Sequence, residues 1–311
     1  KDAREARKGA IAQIEKQCVD STKSRCDVVP LYQDSEYWLY RYKKYTDVRL
    51  VFAPEQDIAF FGGDPDNFVF PRYGLDVSFF RAYENGKPAQ TPRYLKWSGN
   101  GAQENDLAFV SGHPGGTSRL YTTAQLRSDR DTQLPMILAN LKRRIALLKK
   151  YSATSPEAAR RATDRLFGAE NGLKVFSGQY DALNNAKAMA KKEAEEKTFR
   201  DRAQQNTVLA AEIGDPWQTI AEATKKEEAN LQALFFNDNF RRGSSLLNIA
   251  KQIVELTAEM QKPNEKRLEE YRESQLESLR FRLFSAAPIY KDMESVILTD
   301  QIAESLEKLP P

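Results

Sequence analysis

The sequence is poor in the side chains that bind metal ions. It contains one histidine and two cysteines, Cys18 and Cys26, and these three residues cannot supply a tetrahedral zinc site on their own. The acids Asp64 and Asp66 resemble the start of a calcium-binding loop, but the twelfth position counted from Asp64 is Leu75 rather than the bidentate Glu of such loops. We therefore predict no metal site.

The sequence also lacks a strong charge imbalance and a long apolar run. Lys and Arg number 47 against 44 Asp and Glu, a difference of 47 − 44 = 3, whereas a nucleic-acid-binding domain concentrates basic residues on one face. No apolar run approaches the roughly 18 residues that a membrane-spanning helix needs. Residues 1–4 begin a charged helix rather than a signal peptide. We expect no nucleic-acid partner and no membrane partner.

The sequence contains enough apolar residues for a core, and the first part of the chain contains segments with the pattern of strands. A chain of 311 residues is long enough for two domains, and with 41% hydrophobic residues it can bury a core. Residues 2–17 have the spacing of an amphipathic helix. Short strands separated by Gly and Pro are predicted at residues 48–53, 57–61, 76–83, 94–97, 107–110 and 118–123. Such a set of strands is typical of a barrel or a sandwich.

From residue 124 onward the apolar period becomes 3.6, which indicates helices. Breaks between at least six helical segments are predicted near residues 152–156, 168–172, 214–216, 262–264 and 287–288. Asp215 before Pro216 is a favourable helix start. The sequence therefore predicts an α+β protein, with a β-rich region at residues 1–123 and a helical domain at residues 124–311.

The most informative segment is a polar loop, residues 62–75, that leads into a predicted strand with one acid, Asp76, at its start. Gly62 and Gly63 permit backbone angles that are closed to other residues, and the two prolines of the loop fix φ. Together they hold the aromatic run at residues 68–70 in one shape. A loop of this kind is typical of a functional site.

This segment resembles the bacterial dipeptidyl peptidase 7 and 11 family. Its members are serine exopeptidases that join a chymotrypsin-like double β-barrel to a large inserted helical domain. They share a Gly-Gly-Asp-x-Asp-Asn-aromatic loop, and the Asp of the catalytic triad follows nine residues after the Asn of that loop. Here the loop is Gly62-Gly63-Asp64-Pro65-Asp66-Asn67-Phe68, and Asp76 follows Asn67 by nine residues. Residues 112–119 resemble a later Gly-x-Pro-Gly turn of the family, and the helix-rich remainder resembles its cap.

The resemblance implies roles for three side chains. Asp76 is the counterpart of the triad Asp, which accepts the imidazole N–H and fixes the tautomer of the catalytic histidine. Asn67 is the counterpart of a residue that binds the substrate α-ammonium, with Phe68 as an aromatic wall where the family usually has Trp. From the residues alone, Asp76 also fits an acid that caps a turn before a strand. Asn67 also fits a turn residue bonded to its own backbone.

The other two triad residues are expected outside this chain. His113 follows Asp76, which is the reverse of the order in chymotrypsin-like folds, and it lies in a turn where the family accepts other residues. Ser111 and Ser118 lack the Gly-x-Ser-x-Gly or Gly-x-Ser-Gly context of a nucleophile. In the family the His lies upstream and the Ser lies beyond the helical insertion. The chain therefore resembles the middle of a larger protein, and we expect it to be inactive alone.

The two cysteines flank a short polar stretch, and their spacing fits either a disulfide or two unpaired thiols. The resembled family is periplasmic and secreted, and oxidising compartments preserve disulfides. The resemblance therefore favours a bond between Cys18 and Cys26, which contributes about 2–3 kcal/mol in the chain-entropy model. It also implies a periplasmic or secreted location, no cofactor, and a tendency of the family to form homodimers.

The sequence thus predicts part of a trypsin-like antiparallel β-barrel followed by a large α-helical cap domain. The predicted function is that of a serine-type dipeptidyl aminopeptidase, which releases dipeptides from peptides with a free N-terminus through an acyl-enzyme. The alternative is a non-enzymatic peptide-binding or scaffold protein with the same fold. The side-chain preference at the cleavage position is not indicated by these residues.

Overall fold

The structure is a computed structural model that describes residues 2–19, 23–32, 34–109, 112 and 118–309. The chain forms two compact units, each assembled from two stretches of sequence. The first unit is Lys1–Gly101 with Leu246–Ile289, and the second is Ala102–Ser245 with Tyr290–Pro311. The sequence predicts a domain boundary at residue 123. The two units are defined by compactness alone and do not test that boundary, so it stays a prediction.

The first unit begins with a helix that is tied to a hairpin. Helix α1 (Asp2–Cys18) is followed by strands β1 (Ser24–Leu31) and β2 (Glu36–Lys43), which pair in antiparallel register. A disulfide joins Cys18 at the end of α1 to the fully buried Cys26 of β1. The predicted disulfide is confirmed, and it fixes the end of α1 to the hairpin.

Glu15 is a buried carboxylate that connects three segments of the first unit. Its Oε1 accepts a hydrogen bond from the Val28 N–H of β1 at 3.0 Å, and its Oε2 accepts one from the Ser274 hydroxyl at 3.2 Å. The same Oε2 lies 3.7 Å from Nη1 of Arg272. Both charged side chains are buried. Because a buried charge is stable only with partners, Glu15 holds α1, β1 and the 272–274 segment together.

A three-stranded antiparallel sheet completes the β structure of this unit. Its order is β3 (Asp47–Phe52), β4 (Phe79–Glu84) and β5 (Lys87–Pro88). Asn85 and Gly86 form the two-residue turn between β4 and β5 with φ of 52° and 74°. Positive φ at both central residues is the geometry that Asn-Gly favours in hairpins, so the turn predicted from the sequence is confirmed.

Several other predicted strands were wrong. The 57–61 segment forms part of a short helix, α2 (Gln56–Ala59), and residues 94–97, 107–109 and 118–122 are irregular. Val110 lies outside the described residues. A strand needs a neighbour for its backbone N–H and C=O groups, and in the described part of the chain these segments have no ladder. Their apolar side chains are exposed, as Leu95 at 92% and Trp97 at 88% illustrate. A trypsin-like barrel is therefore not confirmed.

In the later part of the first unit a buried carboxylate, Glu259, closes a turn. This part of the unit contains helix α10 (Ser245–Glu259), of which Ser245 belongs to the second unit, two 3-10 turns (Asn264–Lys266 and Glu269–Tyr271) and helix α11, which spans Leu276–Leu283 in this structure. Glu259 at the end of α10 accepts a bond from the Leu268 N–H at 2.9 Å and pairs with Lys262. These bonds lower the pKa of Glu259 and close the turn after α10.

From Thr123 onward the described residues of the second unit are mainly helical, whereas its described residues before Thr123 are irregular. Its helices are α4 (Thr123–Ser128), α5 (Leu134–Ser152), α6 (Pro156–Asn184), α7 (Ala186–Gln205), α8 (Thr207–Ile213), α9 (Pro216–Gly243) and α12 (Lys291–Lys308), with a π-helical turn at Asp129–Gln133. Asp215 begins α9 by accepting a bond from the Gln218 N–H at 3.0 Å, so the predicted helix start is confirmed. None of the described helices is long and apolar enough to cross a bilayer.

The predicted break at residues 168–172 was wrong, because α6 runs through both of its glycines. Gly172 lies against α5, where an added Cβ would meet the Leu141 side chain at 3.6 Å. Each glycine costs a helix about 1 kcal/mol relative to Ala, and the packing of α6 along α5 outweighs that cost. One cluster of buried residues in this unit consists of Leu148, Tyr151, Ala158, Ala162, Met293 and Ile297.

Candidate active site

The loop between β3 and β4 carries the residues that the sequence singles out. Gly62 and Gly63 have φ of 82° and 62°, in the left-handed region. The short helix α3 (Gly63–Asp66) begins at the second of them. Side chains with a Cβ are strained at such angles, so the Gly-Gly pair is what allows the chain to turn into α3 and present the residue that follows it.

Asn67 is that residue, and it is held on both its backbone and its side chain. Its N–H donates to the Asp64 carbonyl at 3.0 Å, and its Oδ1 accepts a bond from Nη1 of Arg72 at 2.9 Å. The donor fixes which way the amide faces, because only the oxygen can accept from a guanidinium.

Arg72 is a residue of this site to which the sequence analysis assigned no role. Besides its bond to Asn67, its guanidinium carbon lies 5.0 Å from the centre of the Phe60 ring, within cation–π range. The only sequence signal was its position after Pro71 inside the loop. Arg72 thus fixes the orientation of the Asn67 amide from a distance of five residues along the chain.

Phe68 projects into solvent from an unusual backbone conformation. Its φ is 68°, and 64% of the side chain is exposed. A bulky residue in the left-handed region costs of order 1–3 kcal/mol, and such strain is found preferentially at functional sites. Phe68 is thus an exposed aromatic side chain that follows the oriented Asn67 directly in the sequence.

Asp76 lies three residues before β4, so the expectation that it starts a strand was wrong. The residues before it are anchored on α2. The Leu75 N–H donates to the Ile58 carbonyl at 3.0 Å, and a Cβ at Gly74 would lie 3.1 Å from the Ala59 carbonyl oxygen. Asp76 itself is exposed. The chain therefore offers a carboxylate on a well-anchored backbone and open to another group.

The remaining residues considered from the sequence do not add to this site. His113 and Ser111 lie outside the described residues, as does most of the 112–117 turn. Ser118 is described and lies in an irregular segment. No group of three or more His, Cys, Asp or Glu side chains in the described part of the chain is arranged to hold a metal ion.

Comparison with known proteins assigns the chain to a class of peptidases. The model of the family described as Peptidase S46 matches residues 1–311. The chain belongs to this family.

Two curated relatives are dipeptidyl-peptidases. The chain is 27% identical over 279 residues to the Asp/Glu-specific dipeptidyl-peptidase of Shewanella putrefaciens. The aligned region covers 86% of this chain and 38% of that protein. The chain is also 28% identical over 243 residues to dipeptidyl-peptidase 7 of Capnocytophaga gingivalis. This alignment covers 74% of this chain and 34% of that protein. The chain thus spans little more than a third of the length of these relatives.

A solved structure shares the fold. The crystal structure of Porphyromonas endodontalis DPP11 in complex with the dipeptide Arg-Glu superimposes with a TM-score of 0.69 at 20% identity. The match covers 97% of this chain and 44% of that one. At this identity the similarity establishes the fold of the chain and not its activity.

Proposed function

We propose that this chain is part of a serine-type dipeptidyl aminopeptidase, which releases dipeptides from the free N-terminus of peptides through an acyl-enzyme. The observation that carries the proposal is the loop of a Peptidase S46 chain in which an oriented Asn67, an exposed Phe68 and, nine residues after Asn67, an exposed Asp76 follow one another. The names of the two curated relatives support the same activity.

Asn67 and Phe68 form the subsite for the substrate amine in this proposal. The Asn67 oxygen, already aligned by Arg72, accepts a hydrogen bond from the α-ammonium, and the exposed ring of Phe68 offers its negative face to the same cation. An enzyme that cleaves after the second residue of a peptide requires a contact that anchors the substrate α-ammonium. Arg72 is a positioning residue, since it acts on the substrate only through Asn67.

Asp76 is the triad acid in this proposal, and segments outside the chain supply the His and Ser. A triad Asp works in a buried position beside its histidine, whereas Asp76 is exposed here. The exposed apolar side chains of Leu95 and Trp97 in the first unit, at 92% and 88%, support the proposal that the barrel is incomplete in this chain. Completion of the barrel by the rest of a longer protein covers them and encloses Asp76.

We also propose that the protein is periplasmic or secreted and acts as a homodimer. The disulfide between Cys18 and Cys26 supports an oxidising compartment. Fractionation of cells that produce the whole protein tests the location, and sedimentation of the purified protein tests the dimer.

The activity is tested by comparing the whole protein with the 311-residue chain on chromogenic dipeptide substrates. We expect the whole protein to release dipeptides from substrates with a free N-terminus, and the chain alone to release none, because the triad is incomplete. Activity of the isolated chain would contradict the proposal that the triad His and Ser lie outside it. Equal cleavage of acetylated substrates contradicts the exopeptidase assignment, and an inactive whole protein that still binds peptides favours the non-enzymatic alternative.

Replacement of Asn67 by Ala in the whole protein should reduce kcat/KM by roughly 10- to 150-fold. The substitution removes a hydrogen bond to a charged group, which is worth about 1.5–3 kcal/mol. Steady-state kinetics with free and acetylated dipeptide substrates measures the effect. The loss should be much smaller for acetylated substrates, which never make the contact. A loss of equal size for both kinds of substrate would show that Asn67 serves the structure of the loop instead.

A further inference from the structure

Phe60 lies next to the guanidinium that holds Asn67. It directly follows α2, and its backbone is bonded on both sides: its N–H donates to the Gln56 carbonyl at 2.8 Å, and its carbonyl accepts from the Gly63 N–H at 3.0 Å. The guanidinium carbon of Arg72 lies 5.0 Å from the centre of its half-buried ring. The position of Phe60 in the fold is therefore set by the backbone around α2.

The same short helix brings Arg72 back to this ring. The Leu75 N–H donates to the Ile58 carbonyl of α2 at 3.0 Å. This bond anchors the end of the loop just after Arg72, so the loop returns to the helix that it left at Phe60. Arg72 and Phe60 thus meet because both ends of the loop are bonded to α2.

The aromatic ring gives Arg72 a second contact besides its hydrogen bond. An arginine side chain has many rotamers, and one hydrogen bond restricts it only partly, whereas a guanidinium that also lies on an aromatic ring keeps fewer of them. Nη1 of Arg72 donates to Oδ1 of Asn67 at 2.9 Å. The contacts run in order from α2 to Phe60, Arg72 and Asn67, so the ring contributes to the orientation of the Asn67 amide.

Arg72 also has an unfavourable effect on a cationic substrate, because its charge repels the α-ammonium. Arg72 and Asn67 are only half-buried, and repulsion between charges that water reaches is screened at physiological ionic strength. Ordering a side chain during binding, in contrast, weakens the affinity by about 2- to 10-fold. An Asn67 amide that is oriented beforehand avoids this loss, and we expect the gain to exceed the screened repulsion.

We propose that Phe60 is a positioning residue of the amine subsite: its ring holds Arg72, Arg72 holds the Asn67 amide, and the selectivity for a free N-terminus depends on both contacts. The proposal rests on the proposed function, in which Asn67 receives the substrate α-ammonium. Its test measures binding rather than hydrolysis, so the two proposals can fail separately.

Calorimetric titration of the whole protein tests the proposal with L-leucyl-L-glutamate, L-leucyl-L-leucine and the N-acetyl form of each. The selectivity is the ratio of the Kd of the acetylated dipeptide to that of the free one. Phe60→Leu removes the aromatic face and should weaken the binding of the free dipeptides by about 2- to 10-fold, with the acetylated forms unchanged. A merely structural role of Phe60 would weaken the binding of both forms alike and would overturn the proposal.

Two matched variants assign this effect to the ring. Phe60→Tyr keeps an aromatic face for the guanidinium and should retain the selectivity of the unchanged protein. Phe61→Leu makes the same exchange at the neighbouring phenylalanine, whose side chain is 59% exposed, and should also retain it. A loss of selectivity in Phe61→Leu as large as in Phe60→Leu contradicts a specific role of Phe60.

A double-mutant cycle tests whether Phe60 acts through Arg72. Arg72→Met removes the donor to Asn67 and should lower the selectivity at least as much as Phe60→Leu does. The double variant should be no less selective than Arg72→Met alone, because the ring has no effect once the guanidinium is gone. Additive losses, or tighter binding of the free dipeptides by Arg72→Met, overturn the proposal.

The outcomes separate this proposal from the proposed function. A whole protein that releases no dipeptides but loses selectivity in Phe60→Leu retains the positioning role without the peptidase activity. A whole protein that releases dipeptides while Phe60→Leu keeps full selectivity overturns the positioning role alone. If the unchanged protein binds free and acetylated dipeptides equally, or binds none of the four, the amine subsite and the role of Phe60 are both wrong.

Discussion

Replacement of Asp76 by Asn in the whole protein is expected to lower kcat about 10⁴-fold, with little change in KM and with the fold intact. The amide is close in shape to the carboxylate, but it favours the wrong imidazole tautomer and cannot stabilise the imidazolium that forms during attack. The backbone beside Asp76 is anchored to α2 through the Leu75 N–H, and the exchange conserves side-chain size, so the fold of the first unit should stay intact. Steady-state kinetics with a chromogenic dipeptide substrate measures the effect.

The matched control for this experiment is Asp57→Asn. Asp57 is also an exposed acid of the connection between β3 and β4, and its replacement should leave kcat within about twofold, since surface substitutions away from special features usually have small effects. If the Asp76→Asn enzyme kept near-normal kcat, the assignment of Asp76 as the triad acid would be wrong.

Replacement of Glu15 by Ala should reduce the free energy of unfolding of the first unit by about 3–5 kcal/mol, the cost of breaking a buried ion pair from one side. The substitution leaves Arg272 buried without its counter-charge, and it also removes the acceptors of the Val28 N–H and the Ser274 hydroxyl. Urea denaturation followed by circular dichroism measures the loss as a shift in the unfolding midpoint.

Two further variants separate the charge of Glu15 from its hydrogen bonds. Glu15→Gln keeps a carbonyl acceptor but removes the charge, so it should cost less than Glu15→Ala. Glu5→Ala changes an exposed acid of the same helix and should shift the free energy of unfolding by less than about 0.5 kcal/mol. A loss as small for Glu15→Ala as for Glu5→Ala would show that the carboxylate does not hold the unit together.

The fold was predictable from the sequence where short-range signals decide it. The Asn85-Gly86 turn, the start of α9 at Asp215 and the disulfide of Cys18 all follow from residues within a few positions of one another, or from a resemblance carried by one loop. The predicted strands failed at residues 94–97 and 107–109 because a strand depends on a partner elsewhere, which β propensity does not provide. The predicted break in α6 failed because packing on α5 overrides two glycines.

The candidate site was predictable in part for the same reason. The spacing of Asn67 and Asp76, and the glycines that turn the chain before them, can be read directly from the loop. The contact of Arg72 with Asn67 could not be read, since it depends on the path of the backbone between them. The strained φ of Phe68 likewise appears only in three dimensions.

By itself the sequence determined the local conformation of the chain and the chemistry of its loop, because backbone sterics, capping and side-chain type act over a few residues. Only the tertiary structure decided which distant segments meet. Glu15 and Arg272 pair across more than 250 positions, residues 246–289 join the first unit, and Arg143 pairs with Asp300 across 157 positions in the second unit. Such contacts form where the burial of apolar surface brings charged groups together, and a short stretch of sequence does not predict which groups these are.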